Sequence, residues 1–185
     1  MGDGRSFIPK ALHENSMDNF TIRRATSSDV EKIVELGLLL QEHAEKSNPL
    51  VWRITEEGKK LLNQKVETDL TDSNVVILLA EVGGETIGYV RGEVTSRIDH
   101  IPRTVGQISL MYVVKQFRRK GVGRRLMKEL CKFFDSSKAE NLTVRYILGN
   151  KEAESFWRKL GFESIIMTGS TYLKELDSNL NSVVD

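Results

Sequence analysis

The chain holds a single cysteine, Cys131, in 185 residues. No disulfide can close within it, and the multi-cysteine clusters that build structural zinc sites are excluded, so a reducing compartment is the simplest setting. Proline and tryptophan are scarce as well, at three and two residues. Histidine is limited to His13, His43 and His100, whose scatter gives no metal-ligand spacing. Long hydrophobic runs are missing, since none approaches the roughly 20 residues of a membrane-spanning helix. The opening residues, Met1 to Phe7, lack the apolar segment of a secretory signal. An excess of one charge is missing too. Lys plus Arg number 27 and Asp plus Glu number 26, a net of +1. That removes the bulk basicity of a protein that wraps duplex nucleic acid. These absences predict a cytoplasmic protein with no metal, no membrane contact and no nucleic-acid partner.

What is present suits one folded domain. Hydrophobic residues make up 39% and charged residues 29%, enough to bury a core and stay soluble. Residues 1–19 are polar and aperiodic and read as a flexible tail, with Met17 as an alternative start; residues 179–185 read as a second tail. Between them, residues 20–178 carry regular patterning. Phe20 to Arg24 alternates like a short strand. Ser28 and Glu31 fit a capping box for a helix whose apolar positions are Val30, Ile33, Leu36 and Leu40, ending by Asn48-Pro49. A second helix is expected from Thr55 to Leu70. Val75 to Val82 and Thr86 to Val94 read as a hairpin about Gly83-Gly84. A strand from Gln107 to Val114 runs into a glycine loop and a long helix striped by Val122, Leu126, Leu130 and Phe133. Cys131, beside Leu130, reads as a small buried residue. Then come a strand over Leu142–Leu148, a short helix capped by Asn150 and ended by Gly161, and two strands over Phe162–Met167 and Thr171–Leu176.

The chemistry concentrates after the Gln107–Val114 strand. Arg118-Arg119-Lys120-Gly121-Val122-Gly123-Arg124-Arg125 places five cations within eight residues at the start of a helix. Glycines let backbone N–H groups approach a ligand, and a helix N-terminus favours an anion, so the segment is suited to a polyphosphate. The same residues would also serve as a solvated basic helix start. The loop is neither a Walker loop nor a dinucleotide fingerprint, because the required glycine and lysine spacings are absent.

The Arg118-x-x-Gly121-x-Gly123 loop, following the strand end at Tyr112-Val113, resembles the acetyl-coenzyme A signature of the GNAT N-acetyltransferase superfamily. Asn150-x-x-Ala153-x-x-Phe156-Trp157-x-x-Leu160-Gly161-Phe162 resembles the second motif of that family, and the hairpin from Glu81 to Gly88 resembles its central turn. The resemblance runs from Phe20 to Leu176, about 157 residues. It implies an α/β (α+β) fold: one domain with a mixed, mostly antiparallel central sheet flanked by helices, and strands that splay at the acetyl-CoA site. It implies that the freed backbone groups of Met111, Tyr112 and Val113 pair with the pantetheine arm and the acetyl carbonyl. The cradle from Arg118 through Arg119, Lys120, Gly121, Val122 and Gly123 to Arg124 would hold the pyrophosphate, and Asn150 would contact the pantetheine. Acetyl-CoA would be the co-substrate, with no metal. The activity implied is transfer of the acetyl group to a primary amine (a protein N-terminus, a lysine or a small-molecule amine) by direct attack. A module that binds and senses acetyl-CoA without turnover is the alternative, and the resemblance leaves room for a homodimer.

The sequence departs from the family where protons are handled. Trp157 stands where a tyrosine commonly donates to the leaving sulfur, and an indole N–H is no practical acid. The positions of glutamates that act as bases in some members fall near Gln107 and Arg145. The catalytic residues are therefore unassigned. Glu93, Asp99 and His100 are conceivable bases through water, and each reads first as a solvated strand or loop residue. Tyr112 would donate a proton if it faced the thiol. Trp52, near where the acceptor would enter, either lines a pocket or packs.

Overall fold

A computed structural model of the protein describes residues 19–48 and 50–182. The expected tail up to residue 18 lies outside the described residues. The elements are β1 (Thr21–Arg24), α1 (Val30–Ser47), α2 (Glu56–Thr71), β2 (Val75–Val82), β3 (Glu85–Ser96), β4 (Thr104–Val113), α3 (Val122–Ser136), β5 (Asn141–Val144), α4 (Lys151–Lys159) and α5 (Leu173–Ser182). Single-turn 3-10 helices precede α1 at Ser27–Asp29 and follow β4 at Lys115–Phe117. The five strands form one sheet in sequential order, antiparallel from β1 to β4 and parallel between β4 and β5. This is the mixed, mostly antiparallel sheet that the sequence predicts.

Alternation in β2 explains the layering. Val76, Leu78, Ala80 and Val82 join Leu126, Met127, Leu130 and Phe134 of α3 in one core. Ile77 and Leu79 point the other way and join Val30, Ile33 and Leu36 of α1 and Val66 of α2. Side chains alternate across a strand, so a continuous apolar run is what a sheet covered on both faces requires. The β2–β3 hairpin closes on Gly83 and Gly84, both at positive φ (57° and 83°), a conformation that costs glycine little. On the α3 side the fit is tight. A Cβ built on Gly106 would lie 2.6 Å from Leu142 and 2.7 Å from the Phe134 ring.

Three local expectations are corrected. The capping box sits two residues earlier than Ser28 and Glu31: the Thr26 N–H donates to the Asp29 carboxylate at 2.8 Å, and Arg23 holds the other side of that carboxylate at 2.7 Å. That ion pair favours the Asp29 alternative. Cys131 is exposed. It follows Leu130 by one residue, about 100° round the helix, and so turns away from the stripe. The two last strands do not form. Phe162 to Thr171 has no regular structure, and α5 begins at Leu173 and continues past the expected boundary at residue 178. Ile165, Ile166 and Met167 are exposed, so their β propensity finds no partner strand. Leu173, Leu176 and Leu180 carry a helical spacing that a strand reading misses.

Candidate acetyl-coenzyme A site

β4 has two edges and they are treated differently. Its first part is flanked on both sides: Val105 to Ile108 pair with Asn141 to Val144 of β5. β5 then stops while β4 continues to Val113, paired only with β3. The separation coincides with a bulge, because Leu110 opposes Arg91 and Ile108 opposes Gly92, leaving Ser109 as an extra residue. Arg91 holds the bulge. Its guanidinium, almost wholly buried, donates to Ser109 Oγ at 2.7 Å, to Glu93 at 2.7 Å and to both Asp69 oxygens of α2 at 2.7 and 2.8 Å.

Strand geometry identifies the groups left free. The Val114 N–H donates to the Ile87 carbonyl on β3 at 2.9 Å. Backbone groups alternate along a strand, so the groups of Val113 and Met111 face the open edge, while Tyr112 pairs with Tyr89 on β3. Of the three residues expected to meet the ligand through their backbone, Met111 and Val113 thus face the open edge by this alternation, and the Tyr112 backbone faces β3. The Val113 carbonyl accepts from Arg118 Nε at 2.9 Å.

The glycine loop follows. Gly121 has φ 82° with no atom within 4 Å of a built Cβ, and Arg119 has φ 62° without the licence of glycine. The first helical bond of α3 runs from Arg125 N–H to Gly121 O at 3.0 Å. The amides of Val122, Gly123 and Arg124 are therefore the terminal donors of the helix. Gly123 has a different purpose. A Cβ there would lie 3.0 Å from the Met111 methyl and 3.2 Å from the Phe156 ring, so its small size lets α3 approach the free edge and α4.

The cations do not form one uniform patch. Arg118 donates to Val113 O and to Glu152 at 2.6 Å, and its guanidinium lies 5.5 Å from the Tyr112 ring centre. Arg125 stacks on Phe20 at 4.6 Å, and Lys120 lies 5.8 Å from the Phe117 ring. Arg119 and Arg124 are exposed. Asn150 caps α4, its side-chain oxygen accepting from the Ala153 N–H at 3.1 Å. Trp157 is buried between Phe156 and Phe162 and lies in the core.

The proton-handling candidates from sequence are dispersed. Glu93 is held by Arg91. Asp99 and His100 pair with each other at 2.9 Å on an exposed loop, and that contact lowers the Asp99 pKa. Gln107 lies within the sheet, opposite Glu93 and Thr143. Trp52 is 84% exposed. A groove of about 390 Å³ that no sequence motif marks lies between α1, β4 and α4, and His43, Tyr112, Arg118 and Glu152 all open into it. Beyond the end of α1, Asn48 Nδ2 donates to the Leu148 carbonyl at 3.1 Å. The signal for His43 was available, since it lies seven residues after Leu36 on the sheet-facing stripe of α1. Among the described residues, no group of three or more His, Cys, Asp or Glu side chains is arranged to hold a metal.

A strand with one open edge, a bulge, and an amide cradle at a helix start lie together at this end of the sheet. A family model, the acetyltransferase (GNAT) domain, matches residues 73–164. The chain belongs to the GNAT acetyltransferase superfamily, whose co-substrate is acetyl-CoA. Among curated proteins no relative matches. Solved structures share the fold at low identity. A tetramutant of protein BH1408 from Bacillus halodurans is 18% identical with a TM-score of 0.73, covering 83% of this chain and 99% of that one. A predicted acetyltransferase from Clostridium acetobutylicum, solved with acetyl-CoA, is 17% identical with a TM-score of 0.67, covering 85% and 98%. The aminoglycoside N-acetyltransferase AAC(6')-Iy in complex with CoA is 15% identical with a TM-score of 0.64, covering 90% and 98%.

Proposed function

We propose that this chain, through a domain spanning residues 20–178, transfers the acetyl group of acetyl-CoA to a primary amine by direct attack. The observation that carries the reading is the open edge of β4 leading without interruption into the amide cradle. Met111 and Val113 present strand hydrogen-bonding groups to an extended amide-bearing arm such as pantetheine. The amides of Val122, Gly123 and Arg124, with the Arg119 and Arg124 side chains at the rim, suit a pyrophosphate. The open space at Gly121 admits the phosphates. The bound thioester supplies an activated acetyl carbon. The Val113 N–H stabilises negative charge developing on the acetyl oxygen, and the groove beside Tyr112 admits the amine and orients it. An N-terminal alanine and an aminoglycoside are the acceptors to try first, because structural neighbours include a ribosomal-protein-alanine N-acetyltransferase and aminoglycoside acetyltransferases. A cytoplasmic location fits the single exposed cysteine; among the described residues no helix is long and apolar enough to cross a membrane.

The test is release of free thiol from acetyl-CoA with a panel comprising an N-terminal alanine peptide, a lysine peptide, a polyamine and sisomicin. Turnover with one member, and coenzyme A raising the melting temperature, is the expected result. Coenzyme A binding without turnover on any amine would leave a sensing module instead.

A further inference from the structure

The groove between α1 and β4 holds more than an entrance. His43 of α1 lies half-buried in it, with Glu42 and Lys46 on the same helix. Tyr112 of β4, Lys115 and Arg118 of the following turn, and Glu152 of α4 complete its polar lining. Arg118 fixes where the groove leads, because the same side chain that lines it also donates to the Val113 carbonyl at 2.9 Å. Tyr112 and Arg118 thus set the groove beside the end of β4, next to Val113, on the face opposite α3.

Glu42, His43 and Glu152 are the groove's proton-accepting side chains, and the two carboxylates are already engaged. Glu42 is paired with Lys46, and Glu152 with Arg118 at 2.6 Å. Each carboxylate is thus held in an ion pair. His43 differs. Burial lowers its pKa below the ordinary 6.5, and the positive charges of Arg118 and Lys46 act in the same direction against the opposing pull of Glu152. Its imidazole is neutral at pH 7.

We propose that His43 is the proton acceptor of the acetyl transfer, the base absent from the strand positions where the family's glutamates would fall. This rests on the reading given under Proposed function. As the amine nitrogen bonds to the acetyl carbon, the carbon–sulfur bond breaks and its electron pair stays on sulfur. The proton shed by the amine passes to the His43 imidazole. The thiolate takes a proton from solvent, and His43 later returns its own to solvent, so the sum is amide plus free thiol.

The experiment compares the full chain with His43→Gln in acetyl-CoA thiol release, using an N-terminal alanine peptide and sisomicin, from pH 5 to 9. Two groups must be neutral in the wild type, the amine and His43. Below the His43 pKa, the logarithm of kcat/KM should rise with slope two; above it, slope one up to the pKa of the acceptor. The break should fall at the same pH for both acceptors. In His43→Gln the slope should be one throughout and kcat should fall by about a hundredfold, with coenzyme A affinity and melting temperature unchanged. Imidazole NMR gives a second reading: the signal missing in His43→Gln should titrate below pH 6.5 and shift on adding coenzyme A. Turnover with an unchanged break in the variant, or a His43 signal indifferent to coenzyme A, would overturn the assignment while leaving acetyl transfer standing. Absence of turnover with every amine of the panel would remove both.

Discussion

The two faces of β4 are built by different means. On the α3 face, the open edge, the bend, the cradle and the helix start come from one continuous stretch, Met111 to Arg124, and the groups it presents are mostly backbone. On the α1 face, the groove takes His43, Tyr112 and Glu152 from three separate elements, and its chemistry lies in side chains. A backbone site depends on conformation and close approach, so its faults should come from glycine. A side-chain site depends on ion pairs, so its faults should come from charge.

The largest expected effect lies on the α1 and α2 side. Arg91→Ala leaves Asp69 half-enclosed without its cation and releases the bulge at Ser109. Breaking a buried pair by removing one partner costs about 3 kcal/mol or more, which for a chain of this size lowers the melting temperature by roughly 10 °C. A melt within 2 °C of wild type would show that the bulge holds without Arg91. Next comes Gly106→Ala on the α3 side, where the added methyl meets Leu142 and Phe134 within 2.7 Å. Overpacking of this kind costs about 1–3 kcal/mol, to be read by urea denaturation.

Gly121→Val separates conformation from packing. Nothing lies near its Cβ, so no clash follows, but a β-branched residue at φ 82° is strained by about 1–2 kcal/mol. Coenzyme A affinity should fall about tenfold, by calorimetry, with the fold retained. Gly123→Val instead presses on Met111 and Phe156, so stability and affinity should drop together. Equal behaviour of the two variants would contradict the distinct roles given to these glycines.

The smallest effect is a pH dependence. Asp29 is held well below its ordinary 3.8, first by hydrogen bonds from Arg23. A carboxyl depressed in the folded state contributes stability above its unfolded pKa, and loses it as pH falls through about 4 and toward the folded value. Asp29→Asn should therefore cost about 1 kcal/mol at pH 7, since Arg23 is partly exposed, and the difference from wild type should shrink toward pH 2. A difference independent of pH would remove the ion pair as its cause.

How much the sequence disclosed follows the same division. The hairpin, α3, the cradle and the Asn150 cap were legible because each is a local pattern whose period or turn residue carries its own physics. The splay was expected only through family resemblance, since where β5 stops is decided by pairing across the sheet. His43 falls on the apolar period of α1, but the groove was not legible, because Tyr112 and Glu152, which line it too, are 69 and 109 residues away. The region after Gly161 was misread because β propensity describes a surface that fits a neighbouring strand, and here none is alongside. Trp157 looked like a substituted acid and proved to be core.

In the proposed complex, β4 offers its open edge, and α3 its first amides, to coenzyme A. Amide NMR with coenzyme A tests it most directly. The Met111 and Val113 amides should shift and become protected from exchange, together with those of Val122, Gly123 and Arg124. The Tyr112 amide, already bonded to β3, should show no gain in protection. Protection of Tyr112 without Met111 and Val113, or no response in the cradle at millimolar coenzyme A, would show that coenzyme A does not bind along this edge.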